Sequence, residues 1–169
     1  MMKLVVGIVI GVFLALAGEY LFLTKGGMPV AARNGQPLPL EQYLTSRALR
    51  VAMARDAGRP SPISADEPNL LAGARVYRAN CEMCHGSLDT EKRSAIARGM
   101  FPRPPRLMPP GEGVTDDPVG ETYWKVKNGI RLTGMASFEG ALTDTQLWQV
   151  SLLLGKANQL PEPVKAELR

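Results

Sequence analysis

The chain has few of the residues from which many common functional sites are built. Among 169 residues there are one histidine and two cysteines, and these three lie within five consecutive positions. They are one short of the four nitrogen or sulfur ligands of a structural zinc site. Since both cysteines belong to one short motif, a disulfide scaffold is also excluded. No run of Lys or Arg, and no alternation of aromatic and basic residues, is present to bind nucleic acid.

The composition is typical of a small domain with many loops. The formal net charge is +4, and charged residues make up 21% of the chain. Glycine and proline are frequent, with 17 and 14 residues, and many of the prolines lie in 102–110 and 160–163. A length of 169 residues is enough for one compact domain and an anchor.

The most informative motif is Cys81-Glu82-Met83-Cys84-His85. Cys-x-x-Cys-His is the pattern of covalent haem attachment. Each thiol can add to a haem vinyl group, and the histidine can place its imidazole under the iron as the proximal ligand. A thioredoxin-like redox site or half of a zinc site has the same cysteine spacing, but the first needs a βαβ setting that the sequence does not predict. We therefore expect one covalently attached haem c at Cys81 and Cys84, with His85 as an iron ligand.

Residues 4–23 are almost wholly apolar. As a helix they would span roughly 30 Å, about the hydrocarbon thickness of a bilayer. The competing interpretation is a cleaved secretory signal, with Lys3 as its positive region and the small residues of 15–17 as its cleavage site. Since the apolar run continues past that site, we expect an uncleaved transmembrane signal anchor at 4–23, with residues 1–3 as a cytoplasmic stub.

Residues 24–63 are predicted to link this anchor to the following domain. Gly, Pro and small residues are frequent near both ends of the stretch, but good helix formers fill its middle and predict an accessory helix at about 40–57. The apolar face of this helix would consist of Leu40, Tyr43, Leu44, Ala48, Val51 and Ala54. Arg47, Arg50 and Arg55 lie beside that face. The helix could pack on its own domain, or it could lie on acidic headgroups or on a partner subunit.

Two capping patterns predict the main helices of the remaining domain. Ser64 and Glu67 fit a capping box that opens a helix over about 65–79. A second pattern, Thr-x-x-Gln, opens a helix over about 143–157. Gly73 lies inside the first helix, where glycine is unfavourable by roughly 1 kcal/mol relative to Ala. We expect the second helix to cross the first closely at this glycine.

Three residues of these helices carry a family resemblance. Gly73 lies four residues before an aromatic, Tyr77, and the last predicted helix has a central aromatic, Trp148. Together with the motif at 81–85, this pairing resembles class I c-type cytochromes. The resemblance implies an all-α fold, in which a single transmembrane helix precedes a small helical domain at 64–169 that wraps around one covalent haem.

The second axial ligand cannot be another histidine of this chain, since His85 is the only one. A methionine, a lysine, an asparagine or an open site remains. The segment 123–138 resembles the distal loop of class I cytochromes, in which a helix ending in Asn-Gly precedes Gly-Met-Pro-x-aromatic, although alanine replaces the proline here. The resemblance implies that Met135 is the sixth ligand, with Met108 as the alternative and Met100 as a core residue.

Residues 101–110 resemble the proline loop of the same family. There a backbone carbonyl accepts a hydrogen bond from Nδ1 of the proximal histidine and fixes the ring, which implies this role for Pro104 or Pro105. Guanidinium groups suit the haem propionates, although solvated side chains are the alternative. The arginines concerned are Arg98, Arg103 and Arg106.

The resemblance implies a single-electron carrier rather than an enzyme. In the family the haem is attached on the far side of the bacterial inner membrane, so we expect a single-pass protein with its haem domain on the periplasmic side, near membrane lipid. Its redox partners would be a quinol-oxidising complex, a terminal oxidase or both, and it could be a shuttle or a fixed subunit. The alternatives are a haem enzyme or gas-binding sensor with a displaceable distal ligand, and an assembly subunit whose haem is incidental.

Overall fold

The computed structural model describes every residue except Asn34, in the predicted linker, and Glu112, in the predicted cytochrome domain. The described residues form α-helices and no strand, which confirms the all-α fold. The helices are α1 Met2–Thr24, α2 Glu41–Met53, α3 Glu67–Asn80, α4 Glu82–His85, α5 Ala95–Gly99, α6 Val119–Asn128, α7 Asp144–Gly155 and α8 Glu162–Leu168, with a 3-10 turn at Ala157–Gln159.

The first of two compact units, Met1–Gln36, consists of α1 and the residues that follow it. α1 is a 23-residue helix, and its most apolar window has a mean hydropathy of 2.3. At 1.5 Å per residue it is roughly 35 Å long, so by length and composition it can cross a membrane. The helix fits the single-pass anchor predicted at 4–23.

The second unit, Pro37–Arg169, is built around the crossing of α3 and α7. A Cβ atom on Gly73 would lie 2.3 Å from the carbonyl oxygen of Gln149. The two helix backbones thus touch at this glycine, as predicted from the sequence, and a larger residue does not fit. Tyr77 and Trp148, on the same two helices, are completely buried.

α3 begins two residues later than predicted, because Asp66 rather than Ser64 is its N-cap. The Asp66 carboxylate accepts a hydrogen bond from the backbone N–H of Asn69 at 3.0 Å, and the Ser64 hydroxyl donates to the same carboxylate at 2.5 Å. With the cap at Asp66, Glu67 is the first helical residue and cannot reach back as in a capping box. The second predicted capping box is present, but α7 ends at Gly155, two residues earlier than predicted.

Within the second unit, α2 packs on the rest of the domain through its carboxyl-terminal part, and it ends four residues before the predicted boundary. Met53 is buried and Leu49 is half-buried. The chain then passes closely over the start of α6, where a Cβ atom on Gly120 would lie 2.2 Å from the carbonyl oxygen of Asp56. The predicted apolar face of the helix is exposed, so it is not the face that packs on the domain.

α8 was not predicted, yet it completes the core. Val164 and Leu168 are buried where the helix packs on α3. The Glu167 carboxylate also lies 3.5 Å from Arg75 and 3.3 Å from Arg78 of α3. The helix was not predicted because two prolines, Pro161 and Pro163, lie at its start. A proline in a first helical turn nevertheless costs little, because the N–H that it lacks would have no partner there.

Candidate functional site

The predicted attachment motif forms one helical turn directly after α3. The backbone N–H groups of Cys84 and His85 donate to the carbonyl oxygen of Cys81 at 3.1 and 2.9 Å. Both thiols are free and half-buried. Because positions i, i+3 and i+4 share one face of a helix, the turn presents the two thiols and the imidazole on the same side.

His85 is oriented by the proline loop. Its Nδ1 donates to the carbonyl oxygen of Pro105 at 2.8 Å, and its own carbonyl oxygen accepts from the N–H of Leu107 at 3.3 Å. Of the two proline candidates, Pro105 is the one at the histidine, whereas the carbonyl of Pro104 accepts from Arg93 at 2.5 Å. A proton held at Nδ1 leaves the lone pair of Nε2 free to bind a metal.

Burial favours the neutral forms of the titrating groups in this turn. Desolvation lowers the pKa of His85, and Arg93 lowers it further, while the hydrogen bond to Pro105 opposes the shift. Desolvation also raises the pKa of Cys81 to about 12, and the neighbouring Cys84 adds to that shift. The folded site holds a neutral imidazole, the form that ligates metals, and a protonated Cys81 thiol.

Tyr77 ties the end of the motif to the core. Its buried hydroxyl donates to the carbonyl oxygen of Gly86 at 2.5 Å. Gly86 has a φ of 85°, in the left-handed region where glycine is favoured. Desolvation raises the pKa of Tyr77, so the phenol remains a donor and holds the turn that follows His85.

Met135 lies on a tight loop between α6 and α7. Its carbonyl oxygen accepts from the N–H of Ile130, and its N–H donates to the hydroxyl of Thr133, both at 3.0 Å. The loop starts at Gly129, which has a φ of 69° and whose Cβ would lie 2.6 Å from the carbonyl carbon of Ala136. These contacts hold the loop although Ala136 replaces the proline of the resembled segment. The Met135 side chain is half-buried against the core.

The other two methionine candidates have different surroundings. Met108 is completely buried in the hydrophobic core, where methionine fills space between apolar side chains. Met100 is half-buried, and its methyl carbon lies 2.0 Å from the position of a Cβ on Gly134. Met100, rather than Met108, therefore touches the residue that precedes Met135.

Arg106 has the most suitable surroundings among the three arginine candidates. Its Nη2 donates to the carbonyl oxygen of Thr90, and its Nη1 is buried without a hydrogen-bond partner among the described residues. Such a nitrogen is unfavourable unless an acceptor meets it. Arg103 is exposed, and Arg98 donates to the carbonyl oxygen of Arg93 at 2.5 Å.

A comparison with protein families identifies the domain that carries this site. The family model described as cytochrome c oxidase, cbb3-type, subunit III matches residues 68–152, half of the chain. The chain belongs to this family of class I c-type cytochrome domains. A search of curated proteins found no match. The matched residues of the cytochrome domain include the attachment motif, the proline loop and Met135.

A cytochrome c domain implies covalently bound haem and electron transfer, and the described residues fit such a haem. The motif turn presents two thiols and an imidazole with a free Nε2. The thioether side chain of Met135 is half-buried. The unpaired Nη1 of Arg106 is a donor for a propionate.

Three contacts of the site were not predicted from the sequence. They are the hydrogen bond from Arg93 to Pro104, the one from Tyr77 to Gly86, and the contact of Met100 with Gly134. The position of Tyr77, one helical turn before Cys81, is a signal that could have suggested the second. The other two depend on loop conformations, for which the sequence offers no comparable pattern.

Proposed function

We propose that this protein is a membrane-anchored, monohaem c-type cytochrome that transfers single electrons between redox proteins on the periplasmic side of the bacterial inner membrane. The observation that carries the proposal is the hydrogen bond of 2.8 Å from Nδ1 of His85 to Pro105. This bond lies within a cytochrome c domain and leaves Nε2 free to ligate iron. The apolar α1 suits the anchor.

Each residue of the site has a defined role in this proposal. A haem iron bound there supplies one-electron exchange between its ferric and ferrous states. The attachment and ligand residues are Cys81, Cys84, His85 and Met135. Pro105 fixes the imidazole, while Arg106, with Arg103 at the surface, offsets the propionate charge. A thioether is a soft, neutral ligand, so Met135 favours the ferrous state and raises the reduction potential.

Electron transfer fits this site better than catalysis does. With His85 and Met135 as ligands, the iron has no open position for a substrate. Its partners would be a quinol-oxidising complex, a terminal oxidase or both, and the family description as an oxidase subunit supports a place in such a complex. An anchor in the partners' own membrane raises the effective concentration of the haem domain, whether the protein is a shuttle or a subunit.

The absorption spectrum of the ferrous holoprotein, recorded with and without carbon monoxide, tests the proposal. We expect a six-coordinate, low-spin spectrum that carbon monoxide does not change. Rapid binding of carbon monoxide by the native protein would contradict an electron carrier and favour the haem enzyme or gas sensor. Co-purification after gentle solubilisation of membranes separates the two forms of the proposal, since a fixed subunit stays with its complex and a shuttle does not.

A further inference from the structure

α2 presents two different faces. Met53, which is 4% exposed, faces the domain together with Leu49. Other positions of α2, and its N-cap Leu40, carry large apolar side chains that are 57–70% exposed, namely Leu40, Tyr43, Leu44 and Val51. With 100° between successive helical residues, Leu44 and Val51 lie about half a turn away from Met53, and Tyr43 lies about 80° to one side of Val51. Leu40 immediately precedes the helix as its N-cap. We call the four exposed residues the α2 stripe.

The packing of α2 on its own domain leaves this stripe without a partner. Of the thirteen residues of α2, all of which the structure describes, Met53 alone is buried. A helix of this length is marginally stable in water, and most helices in proteins depend on a packed apolar face. A row of exposed apolar side chains on a short helix is typical of a surface that binds something else.

The charge around the stripe is positive. Arg47 and Arg50 on α2, and Arg55 two residues after its end, are exposed near the stripe, and among the described residues none of the three forms an ion pair. The nearest carboxylates in sequence are engaged elsewhere. Glu41 accepts a hydrogen bond from the N–H of Leu38 at 2.7 Å, and Asp56 lies 3.9 Å from Arg59. A helix with an apolar stripe bordered by arginines matches the chemistry of an anionic lipid surface.

The length of the chain between α1 and α2 limits how far α2 can lie from such a surface. α1 ends at Thr24 and α2 begins at Glu41. The segment between them reaches at most roughly 55 Å when fully extended. If α1 is in a membrane, α2 is therefore held at a high effective concentration beside the headgroups of the same membrane.

We propose that the α2 stripe docks on anionic phospholipid headgroups of the membrane that α1 spans. This inference rests on the membrane anchoring in the proposed function and adds a second, reversible contact with the lipid. Each arginine near an anionic surface strengthens the association by roughly fivefold, so the three together contribute on the order of 100-fold. Since the chain after α2 is packed against Gly120 of α6, the contact also sets the orientation of the haem domain on the membrane.

The experiment uses the full-length holoprotein in vesicles. Both native cysteines are bonded to haem in the holoprotein, so the Leu44→Cys variant has one free thiol, which is labelled with an environment-sensitive fluorophore. The Thr45→Cys variant is the matched control, because Thr45 is exposed on the same helix but points away from the stripe. The vesicles contain either phosphatidylcholine alone or phosphatidylcholine with phosphatidylglycerol, together with a lipid-borne quencher.

We expect the label at position 44 to be quenched in vesicles with phosphatidylglycerol and much less in phosphatidylcholine alone, whereas the label at position 45 is not quenched in either. High salt, or the triple change Arg47→Gln, Arg50→Gln and Arg55→Gln in the labelled Leu44→Cys protein, should remove most of the quenching. Equal access of aqueous iodide to both labels in both vesicles would overturn the inference. Protection of position 44 only in a purified complex would also overturn it, because the stripe would then bind a protein.

Two further readouts separate this inference from the proposed function. An alkaline wash of the vesicles tests whether α1 is inserted, and the ferrous spectrum tests the haem ligands. If the protein stays in the vesicles with a low-spin spectrum while position 44 remains in water, only the docking of α2 is wrong. If the wash removes the protein, both the anchor and the docking are wrong, whatever the fluorophore shows.

Discussion

Nδ1 of His85 lies 2.8 Å from the carbonyl oxygen of Pro105, which fixes the imidazole ring through the backbone of another loop. That loop is itself held by the buried Pro104 and by the hydrogen bond from Leu107 to the carbonyl oxygen of His85. Two hydrogen bonds thus tie the side of the site that carries the histidine to the proline loop. Met135, in contrast, lies on a loop whose neighbouring residues Gly134 and Ala136 are exposed. Substitutions of the methionines therefore test the less enclosed side of the site.

Replacing Met135 by leucine in the holoprotein should lower the reduction potential and abolish the weak sulfur-to-iron absorption near the red edge of the spectrum. The leucine side chain has no lone pair for the iron, so the ferrous state loses its preferred ligand. We expect a fall on the order of 0.2 V, within the range that axial ligands control. A redox titration followed by absorption spectroscopy measures both effects.

Met108→Leu is the matched control for this experiment. Met108 is completely buried in the core, so this near-isosteric change should cost less than about 1.5 kcal/mol of stability and leave the spectrum unchanged. A Met135→Leu protein that keeps its spectrum would contradict ligation by Met135. Met100, which touches Gly134, would then be the next methionine to replace.

Arg106→Gln should lower the reduction potential more than Arg103→Gln does. A positive charge near the haem opposes the additional positive charge of the ferric state, and Arg106 is more enclosed than the exposed Arg103. We expect a shift of roughly 20–60 mV for Arg106, from the Coulomb energy of one charge at intermediate screening. Potentiometry on both variants provides the comparison. Arg106→Lys should restore part of the potential, and equal shifts in the two glutamine variants would rule out a special role for Arg106.

Gly73→Ala should destabilise the second compact unit without changing the haem ligands. The new Cβ would lie 2.3 Å from the carbonyl oxygen of Gln149, and overpacking of this kind costs about 1–3 kcal/mol. Thermal unfolding should show a Tm that falls by roughly 4 °C for each kcal/mol. Gly155→Ala is the control, since a Cβ there meets nothing within 4 Å. Equal melting temperatures for the two variants would show that the crossing is looser than described.

Asp66→Asn should change the dependence of stability on pH. Hydrogen bonds from the Ser64 hydroxyl and the Asn69 amide hold the pKa of Asp66 below its ordinary value of 3.8. The stability contributed by the ionised carboxylate is therefore present above the unfolded-state pKa and is lost as pH falls through the lower pKa of the folded state. Asparagine keeps an acceptor at the N-cap but does not titrate.

The measurement is thermal unfolding of both proteins between about pH 5 and pH 3 at constant ionic strength, the window set by a lowered aspartate pKa. The Tm of the unchanged protein should fall more steeply with decreasing pH than that of the Asp66→Asn variant. Parallel curves would mean that the cap does not depend on ionisation.

The sequence predicted the features that depend on a local pattern of neighbouring residues or on the small size of one side chain. The capping box of α7 and the apolar α1 are local patterns, and Gly73 signals a close crossing because a helix interior otherwise disfavours glycine. Ser64 and Asp66 are both good caps, and only the folded chain decides between them. The exposure of the α2 stripe and the burial of Met108 depend on which elements meet in three dimensions, and a single sequence does not encode that in any local pattern.

The contact between Gly73 and Gln149 also bears on the order of events during folding. Every proposed haem residue, from Cys81 to Met135, lies in the chain between these two positions. Closing so long a loop costs conformational entropy and makes the crossing a slow, non-local contact. The pKa of the Cys81 thiol is raised by burial in the folded domain, so an open chain presents a more reactive thiol than the closed one.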